Sequence, residues 1–543
     1  MKQRQRGFAL LATGGADTPF QIAGAAQLAE LAQYVNAGDA TFVSAHYVLT
    51  DDVNLSAYGN WTPIGTEDHP FEGVFDGQNH VVTGLKIDRN ELYQGLFGYV
   101  SGTDDAHKAQ IKNVAVRDAQ IRAWTEVGAV VGRYGRFTAG YVEPLENCAM
   151  IGGTIQGTSE SMGQSSFVGG IVGRACGEIQ RCYATGDIIG ADNAREYGGI
   201  VGESYKTVNA CYWTGRLSAL GSYANDFGGI VGNAYDAVTN CYTTGDITGS
   251  LNNAATLGSI VGCALDRVTN CYATGSVKGW RAIGGIAGQA YGDTYAHATI
   301  SGCMALNTSV ESNPFYSIGR VAGLTGQESV LNDNYAWDGM RVNGQKIPEG
   351  QQSVENGTDL TYDDTNGLSR QFETIFGGNS AWTYAENGLP TLKNVGGTQS
   401  SDLPVWMTSQ NKVYIYTAAD LAQLATDVNG GNNMSGKTVL LMNDIDLSGY
   451  PDWTPIGRFD PPDDMLPFSG VFDGQGYSIT GLKISGNEDA RGLFGYTYSG
   501  AIRNVVIRNP EIEGKDQVGA LVGYQAYSNQ GIKNCAVIGG KIQ

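Results

Sequence analysis

The chain has 543 residues, more than one compact core usually holds. Glycine accounts for 78 residues and proline for 14, with 42% hydrophobic and 16% charged residues. There is no three-residue glycine period, so collagen is excluded, and the apolar content excludes a disordered chain. Lys and Arg number 34 against 54 Asp and Glu, a net charge of -20, which repels nucleic acid and anionic membrane surfaces and removes both as expected partners.

The opening "MKQRQRGFALLATGGAD" has a basic head but a five-residue apolar stretch, short of the roughly 7–15 residues of a signal peptide. No later run approaches the roughly 18 apolar residues of a spanning helix, so no membrane insertion is expected in this segment. "AAQLAELAQYV" then places apolar residues at helical spacing. It predicts a short helix over about 24–35 that caps the open end of a strand stack and keeps its edges from pairing with other chains.

From about 72 to 337 a short unit recurs. The apolar residues that begin its copies are Val82, Ile111, Leu145, Ile179, Val208, Val238, Val268, Ile300 and Leu331, at steps of 29 to 34 residues. Position +3 reads Leu85, Val114, Cys148, Cys182, Cys211, Cys241, Cys271, Cys303 and Asn334. Positions +3 and +5 alternate and so face the core. Position +2 is Gly, Asn or Asp in seven of nine copies, residues that tolerate positive φ, which predicts a bend there; Arg181 and Ala210 break that rule. A glycine-bounded β-branched phrase precedes each unit, as in "VGGIVG", "YGGIVG", "FGGIVG", "LGSIVG" and "IGGIAG", and predicts another short strand. A third short strand is expected after the "ATG" or "TTG" turn. The reading is all-β: a parallel β-helix, or β-solenoid, of about 30 residues and three short strands per coil. Each coil buries its inner face only by stacking on its neighbours.

Residues 338–395 are polar and irregular and are expected to cap the C-terminal end. "GGTQSSDLPVW" reads as linker, over 396–410. "VYIYTAADLAQLATDVNGG", "LSGYPDWTPIG" and "FSGVFDGQGYSITGLKI" then repeat the opening of the chain. The domain reading is one complete module over 14–395, a linker over 396–410, and the start of a second, truncated module over 411–543. A natural chain longer than this one is expected.

The "GGIVG…CYATG" units resemble the GLUG motif of bacterial cell-surface and secreted proteins. The helix, "WTPIG", "FDGQ" and "GLFG" elements resemble the unit that precedes such motifs in large adhesin-like proteins. The resemblance implies a right-handed β-helix, export, an extracellular or cell-surface location, and a part in adhesion. The same motif also accompanies the catalytic part of an immunoglobulin-cleaving metallopeptidase family, whose zinc signature HExxH is missing here.

Of nine cysteines, seven share position +3: Cys148, Cys182, Cys211, Cys241, Cys271, Cys303 and Cys535. None forms a CxxC pair, and Leu85, Val114 and Asn334 share the column, so a buried ladder of small thiols is the expectation, with no metal and no cofactor. At +4 stand Tyr183, Tyr212, Tyr242 and Tyr272. With +3 and +5 inward, +4 faces outward, and the row is the candidate ligand site, an exposed aromatic strip for a glycan or glycoprotein; stacking that only stabilises the solenoid is the competing reading. Trp213, at a +5 position otherwise filled by small residues, does not fit. Tyr205, Tyr235 and Tyr291 form a second column of unassigned direction. Asp76 and Asp473, and Asp52 and Asp444, match between copies and lie beside turns, as Asx-type loop residues. "NDIDLSG" and "FDPPDD" offer oxygens, without EF-hand spacing. There is no GxSxG and no catalytic residue is assigned. The functional reading is a non-catalytic adhesin or structural rod. A polysaccharide-active β-helix enzyme and an accessory region of a secreted peptidase are the alternatives.

Overall fold

The computed structural model describes residues 13–137, 141–158, 166–219, 224–252, 254–293, 296–347, 353–360, 368–385, 388–404, 412–460, 464–527 and 531–543. The basic opening, the end of the expected linker and part of "FDPPDD" lie outside these. The chain forms two compact units, Met1–Leu403 and Pro404–Gln543.

In the first unit short strands stack into sheets of eleven, eleven, ten, eight and eight strands. One coil shows the pattern: β1 (Ile179–Gln180), β2 (Tyr183–Ala184), β3 (Asp187–Ile189), β4 (Arg195–Gly198) and β5 (Val201–Ser204). Each pairs in parallel with its equivalent one coil on: Ile179 with Val208, Tyr183 with Tyr212, Ile188 with Leu217, Tyr197 with Phe227, Val201 with Val231. An eleven-strand stack has ten steps and spans about 48 Å at ~4.8 Å per step. The structure is a β-solenoid, as the repeat spacing implies.

The three runs expected per coil are present, but two are broken by bends, so the coil carries five strands instead of three. The first break is the +2 residue. Asn113, Asn147, Arg181, Ala210, Asn240, Asn270 and Asp333 all have φ between 52° and 55°. Arg181 and Ala210 therefore bend like the asparagines they replace; the position in the coil dictates the conformation, at a modest cost for a residue other than glycine. Asparagine side chains link coils along the bend: Asn147 Nδ2 donates to Asn113 Oδ1 at 3.0 Å, and Asn240 Nδ2 to Asn209 Oδ1 at 2.8 Å. The second break lies inside the glycine phrase, where β5 folds back against β4. A Cβ on Gly202 would stand 2.5 Å from Val168 N, 2.6 Å from Gly173 O and 2.7 Å from Glu196 O. Only glycine admits that backbone-to-backbone approach.

Helix α1 (Ala25–Asn36) closes the N-terminal end and buries Leu28, Leu31, Ala32 and Val35, a stripe at the expected spacing. At the other end Arg320 is 1% exposed. Its guanidinium donates to Trp337 O at 3.3 Å, Asn356 O at 3.1 Å and Gly357 O at 3.3 Å, and pairs with Asp359 at 2.7 Å. Charge-assisted bonds to the last carbonyls thus satisfy the terminal coil.

The rest of the expected C-terminal cap lies elsewhere. Helix α2 (Leu368–Ile375) and the antiparallel pair Trp382–Thr383 with Thr391–Leu392 lie along the flank of the middle coils. The reason is apolar burial: Phe372, Phe376 and Trp382 are 0%, 3% and 1% exposed there. Residues 396–401, expected as linker, are packed structure within this first unit: Gly396 O and Gln399 Oε1 accept bonds from the solenoid, and Ser401 O accepts from Leu389 N.

The second unit repeats the opening. Helix α3 (Ala418–Asn429) begins with a capping box, Thr417 Oγ1 accepting from Asp420 N while the Asp420 carboxylate accepts from Thr417 N. It buries Leu421, Leu424, Ala425 and Val428 over parallel stacks of five, four, three and two strands.

Candidate functional site

The cysteine column explains itself at the bends. Cys148, Cys182, Cys211, Cys241, Cys271 and Cys303 are fully buried, and none of the nine is in a disulfide. Each thiol donates to the carbonyl two residues earlier, as from Cys211 to Asn209 O at 3.3 Å and from Cys241 to Thr239 O at 3.2 Å. Three of the sulfurs also receive the backbone N–H of the coil before them, Cys182 N to Cys211 Sγ, Cys211 N to Cys241 Sγ and Cys241 N to Cys271 Sγ, all at 3.4 Å. In these coils the side chain both donates and accepts where the bend interrupts the ladder, and Asn334 performs the same pair of tasks: it accepts from Cys303 N at 3.1 Å and donates to Ile300 O at 2.7 Å. The column thus does more than fill space. Burial pushes the thiols of Cys148, Cys182, Cys211 and Cys271 well above the ordinary thiol value. Among the described residues no three His, Cys, Asp or Glu side chains converge as a metal site. Cys241→Ala is expected to lower stability by about 1–2 kcal/mol, through a small cavity and an unpaired Cys211 N–H, measured by denaturant titration. A thiol reagent should label the half-exposed Cys535 before any of the buried column.

The tyrosine row is outside the solenoid core yet not exposed, which corrects the expectation. Tyr212, Tyr242 and Tyr272 are 0%, 2% and 0% exposed, and Tyr183 is half-buried. The chain's own 368–401 segment covers them. Tyr212 Oη donates to Gly396 O at 2.9 Å and Tyr272 Oη to Pro390 O at 2.9 Å, while Tyr242 Oη lies 3.3 Å from Gln399 Oε1. Trp382 packs on Tyr242 and Tyr272 at 6.2 and 5.7 Å, and Phe372 meets Tyr272 edge-on at 5.2 Å. The rings also use their faces on each other: successive centroids from Tyr183 to Tyr272 are 5.1, 5.0 and 4.9 Å apart, with planes 9°, 7° and 1° from parallel. A sugar laid along this row would meet ring edges, because coil stacking turns the faces along the axis. Trp213 is fully buried and fits because Ala184 and Thr243 flank it in the column and Gly199, Gly215 and Gly245 leave room around its ring; its Nε1–H donates to Gly186 O at 3.1 Å.

The second tyrosine column points outward. Tyr205 and Tyr235 stack at 4.4 Å, Tyr235 is 41% exposed, and Phe137 meets Tyr205 edge-on at 4.5 Å. Beside it lies a charged cluster that the repeat arithmetic missed. Arg133, Arg174 and Glu203 occupy one ladder position in successive coils, and Glu126 stands across from them on the facing strand. Arg174 Nε pairs with Glu203 at 2.5 Å, and Glu126 lies 3.5 Å from both guanidinium groups. Arg174 also lies over the Phe137 and Phe167 rings at 4.2 and 4.3 Å. Burial pushes the Glu126 carboxyl up to about 7, against the pull of both arginines, and it raises Glu203 too. The available signal was position: Glu126, Glu196 and Asp226 each stand two residues before the first glycine of their phrase.

A carboxyl whose folded value exceeds its unfolded one binds its proton more tightly in the fold. The stability it contributes is therefore present below about 4.5 and lost as pH rises through about 7. Glu126→Gln should flatten that slope, seen as a smaller loss of Tm between pH 5 and pH 8 than in the unaltered protein.

Matched carboxylates are loop anchors. Asp76 Oδ1 accepts from Gln78 N at 2.9 Å, Asp473 Oδ1 from Gln475 N at 3.0 Å, Asp52 Oδ1 from Val81 N at 2.8 Å, and Asp444 Oδ1 from Ser478 N at 2.7 Å. Two cavities stand out. One of about 390 Å³ lies beside α1 and is lined by Gln33, Tyr58, Asn60, Trp61 and Thr62 among others. One of about 570 Å³ in the second unit is bordered by Phe459, Asp460, Glu488, Asp489, Arg491 and Lys515. There Glu488 pairs with Arg491, and Asp489 lies 3.9 Å from Lys515. No helix among the described residues is long and apolar enough to cross a membrane.

A family described as "The GLUG motif" matches residues 253–278. Halomucin of Haloquadratum walsbyi is 30% identical over 190 residues, 33% of this chain and 2% of that one. A protein of Evansella cellulosilytica named "Putative Gly-rich membrane protein" is 33% identical over 93 residues, 16% of this chain and 10% of that one. The chain thus spans a small part of both relatives. The solved structure of a "putative immunoglobulin A1 protease" from Bacteroides ovatus overlaps 70% of this chain and 94% of its own, at 20% identity and a TM-score of 0.38. The chain is a β-solenoid that carries the GLUG motif.

Proposed function

We propose that the chain is a non-catalytic, rod-like segment of a larger cell-surface or secreted protein, whose role is to present or space adhesive contacts with glycans or glycoproteins. One observation carries this: the solenoid grows by parallel stacking of near-identical coils, with its cysteine, tyrosine and asparagine columns spent on joining each coil to the next. Such an array extends reach at constant cross-section. The names of the two sequence relatives, a halomucin and a membrane protein, fit a surface setting. The non-catalytic part draws on two acidic clusters: Glu126 and Glu203 are 4% and 3% exposed and tied to arginines, and in the second unit's cavity Glu488 pairs with Arg491 and Asp489 lies 3.9 Å from Lys515.

Two measurements test the reading. Antibody against the purified chain should label intact, unpermeabilised cells or the culture medium, and external protease should remove the signal. Label confined to the cell interior would overturn the surface part. Incubation with immunoglobulin A and with plant and microbial polysaccharides should leave each intact, and cleavage would overturn the non-catalytic part.

A further inference from the structure

We propose that the cavity beside α1 binds a neutral hexose residue of a glycan. This names a ligand site for the surface reading above and rests on it. The cavity, about 390 Å³, falls in the usual size range of small-ligand sites. No charged side chain lines it, and the Arg89 guanidinium that reaches its edge is already bonded to Asn60 O and Thr62, which favours an uncharged ligand. Several lining groups are already committed to structure. Trp61 is 3% exposed and donates from Nε1 to Leu96 O at 3.1 Å. Asn36 donates to Pro63 O at 2.9 Å and accepts from Gly65 N at 2.7 Å. Asn60 exchanges two bonds of 3.0 Å with the Asp88 backbone.

Tyr58 and Gln33 stand apart from these. Tyr58 is 39% exposed, and its ring meets Trp61 edge-on at 6.1 Å and 79°. An edge-on contact takes at most one face, so this tyrosine keeps a face unstacked by another ring, whereas Tyr212 and Tyr242 have stacked rings on both sides. Gln33 lies exposed on α1, and the Thr62 hydroxyl accepts from Arg89 at 3.2 Å while keeping its own proton to donate. A ring face for the C–H surface of a pyranose, with a neutral amide and hydroxyl for its hydroxyls, is the chemistry that recognises an uncharged sugar. The second unit builds the same ring pair: Tyr450 meets Trp453 edge-on at 5.9 Å and 77°, and Trp453 donates to Leu493 O at 3.2 Å.

The test uses the full 543-residue chain against immobilised neutral oligosaccharides, their sialylated or sulfated counterparts, and a neutral N-linked glycoprotein before and after enzymatic deglycosylation. Neutral probes should be retained and charged ones not. The joint variant Tyr58→Ala with Tyr450→Ala should weaken retention roughly tenfold, and the matching pair of Phe substitutions by less than about threefold. Gln33→Ala, at an exposed helix position, should weaken it with no change in melting, which keeps the test valid if a tyrosine variant folds poorly. Retention of free oligosaccharide points to a polysaccharide source, and retention of the glycoprotein alone, lost on deglycosylation, to a protein-linked one; either supports the site. No retention of any neutral probe, or retention unchanged in the tyrosine and Gln33→Ala variants, overturns it. The surface reading would survive that failure, because cell labelling decides it separately.

Discussion

Gly202→Ala is expected to cost about 3 kcal/mol, although the change adds only one methyl group and removes no hydrogen-bonding group. The methyl would stand 2.5 to 2.7 Å from three backbone atoms of neighbouring strands, Val168 N, Gly173 O and Glu196 O. Backbone in a stacked coil cannot rotate away as a side chain can. The strand must lift, and the parallel ladders from Val172 through Val201 to Val231 lift with it. Gly15→Ala is the control: its nearest neighbours would be hydroxyls at 3.8 Å, and a change within about 0.5 kcal/mol is expected. Denaturant titration of the two variants checks this, and equal stabilities would mean that β4 and β5 are farther apart than described. Because solenoids unfold by neighbouring units, the loss should appear first in the middle coils.

Trp382→Ala should be the most damaging change outside the coils, at about 3–5 kcal/mol for a fully buried large ring. Trp382 is 1% exposed and holds Tyr242, Tyr272 and Phe376 together at 6.2, 5.7 and 5.3 Å. Its loss should release the 368–401 segment and bare the tyrosine row, visible as increased tyrosine quenching by acrylamide and as a new low-temperature melting step. Trp382→Phe should cost much less, because the buried indole N–H makes no hydrogen bond and a ring is kept. If Trp382→Ala left both melting and quenching unchanged, the segment would not be packed on the row.

Much of this architecture was legible because repetition multiplies weak signals. The bend at +2 could be read from asparagines alone, and repeat spacing carried it to Arg181 and Ala210, where residue type gave no hint. Alternation placed the tyrosines outside the core correctly. What covers them could not be read that way. The covering segment has no repeat of its own, and its contacts join residues 184 and 118 positions apart, as from Tyr212 to Gly396 and from Tyr272 to Pro390. Periodicity says which face a side chain takes, and only the fold says what lies against that face. The charged cluster escaped for a related reason. Glu126 acquires its partners across a fold-back of the coil and from the next coil, not from its own strand. At the cysteines the residue type was read as volume, and its use as donor and acceptor became evident only from the Asn334 replacement.

The aromatic row is an internal seam of the protein and not an open surface. Nitration by tetranitromethane under native conditions, mapped by mass spectrometry, tests it most directly. Modification is expected at Tyr58, Tyr235 and Tyr527, which are 39%, 41% and 80% exposed, and none at Tyr212, Tyr242 or Tyr272 until the protein is unfolded. Nitration of those three at the rate of the exposed tyrosines would contradict it.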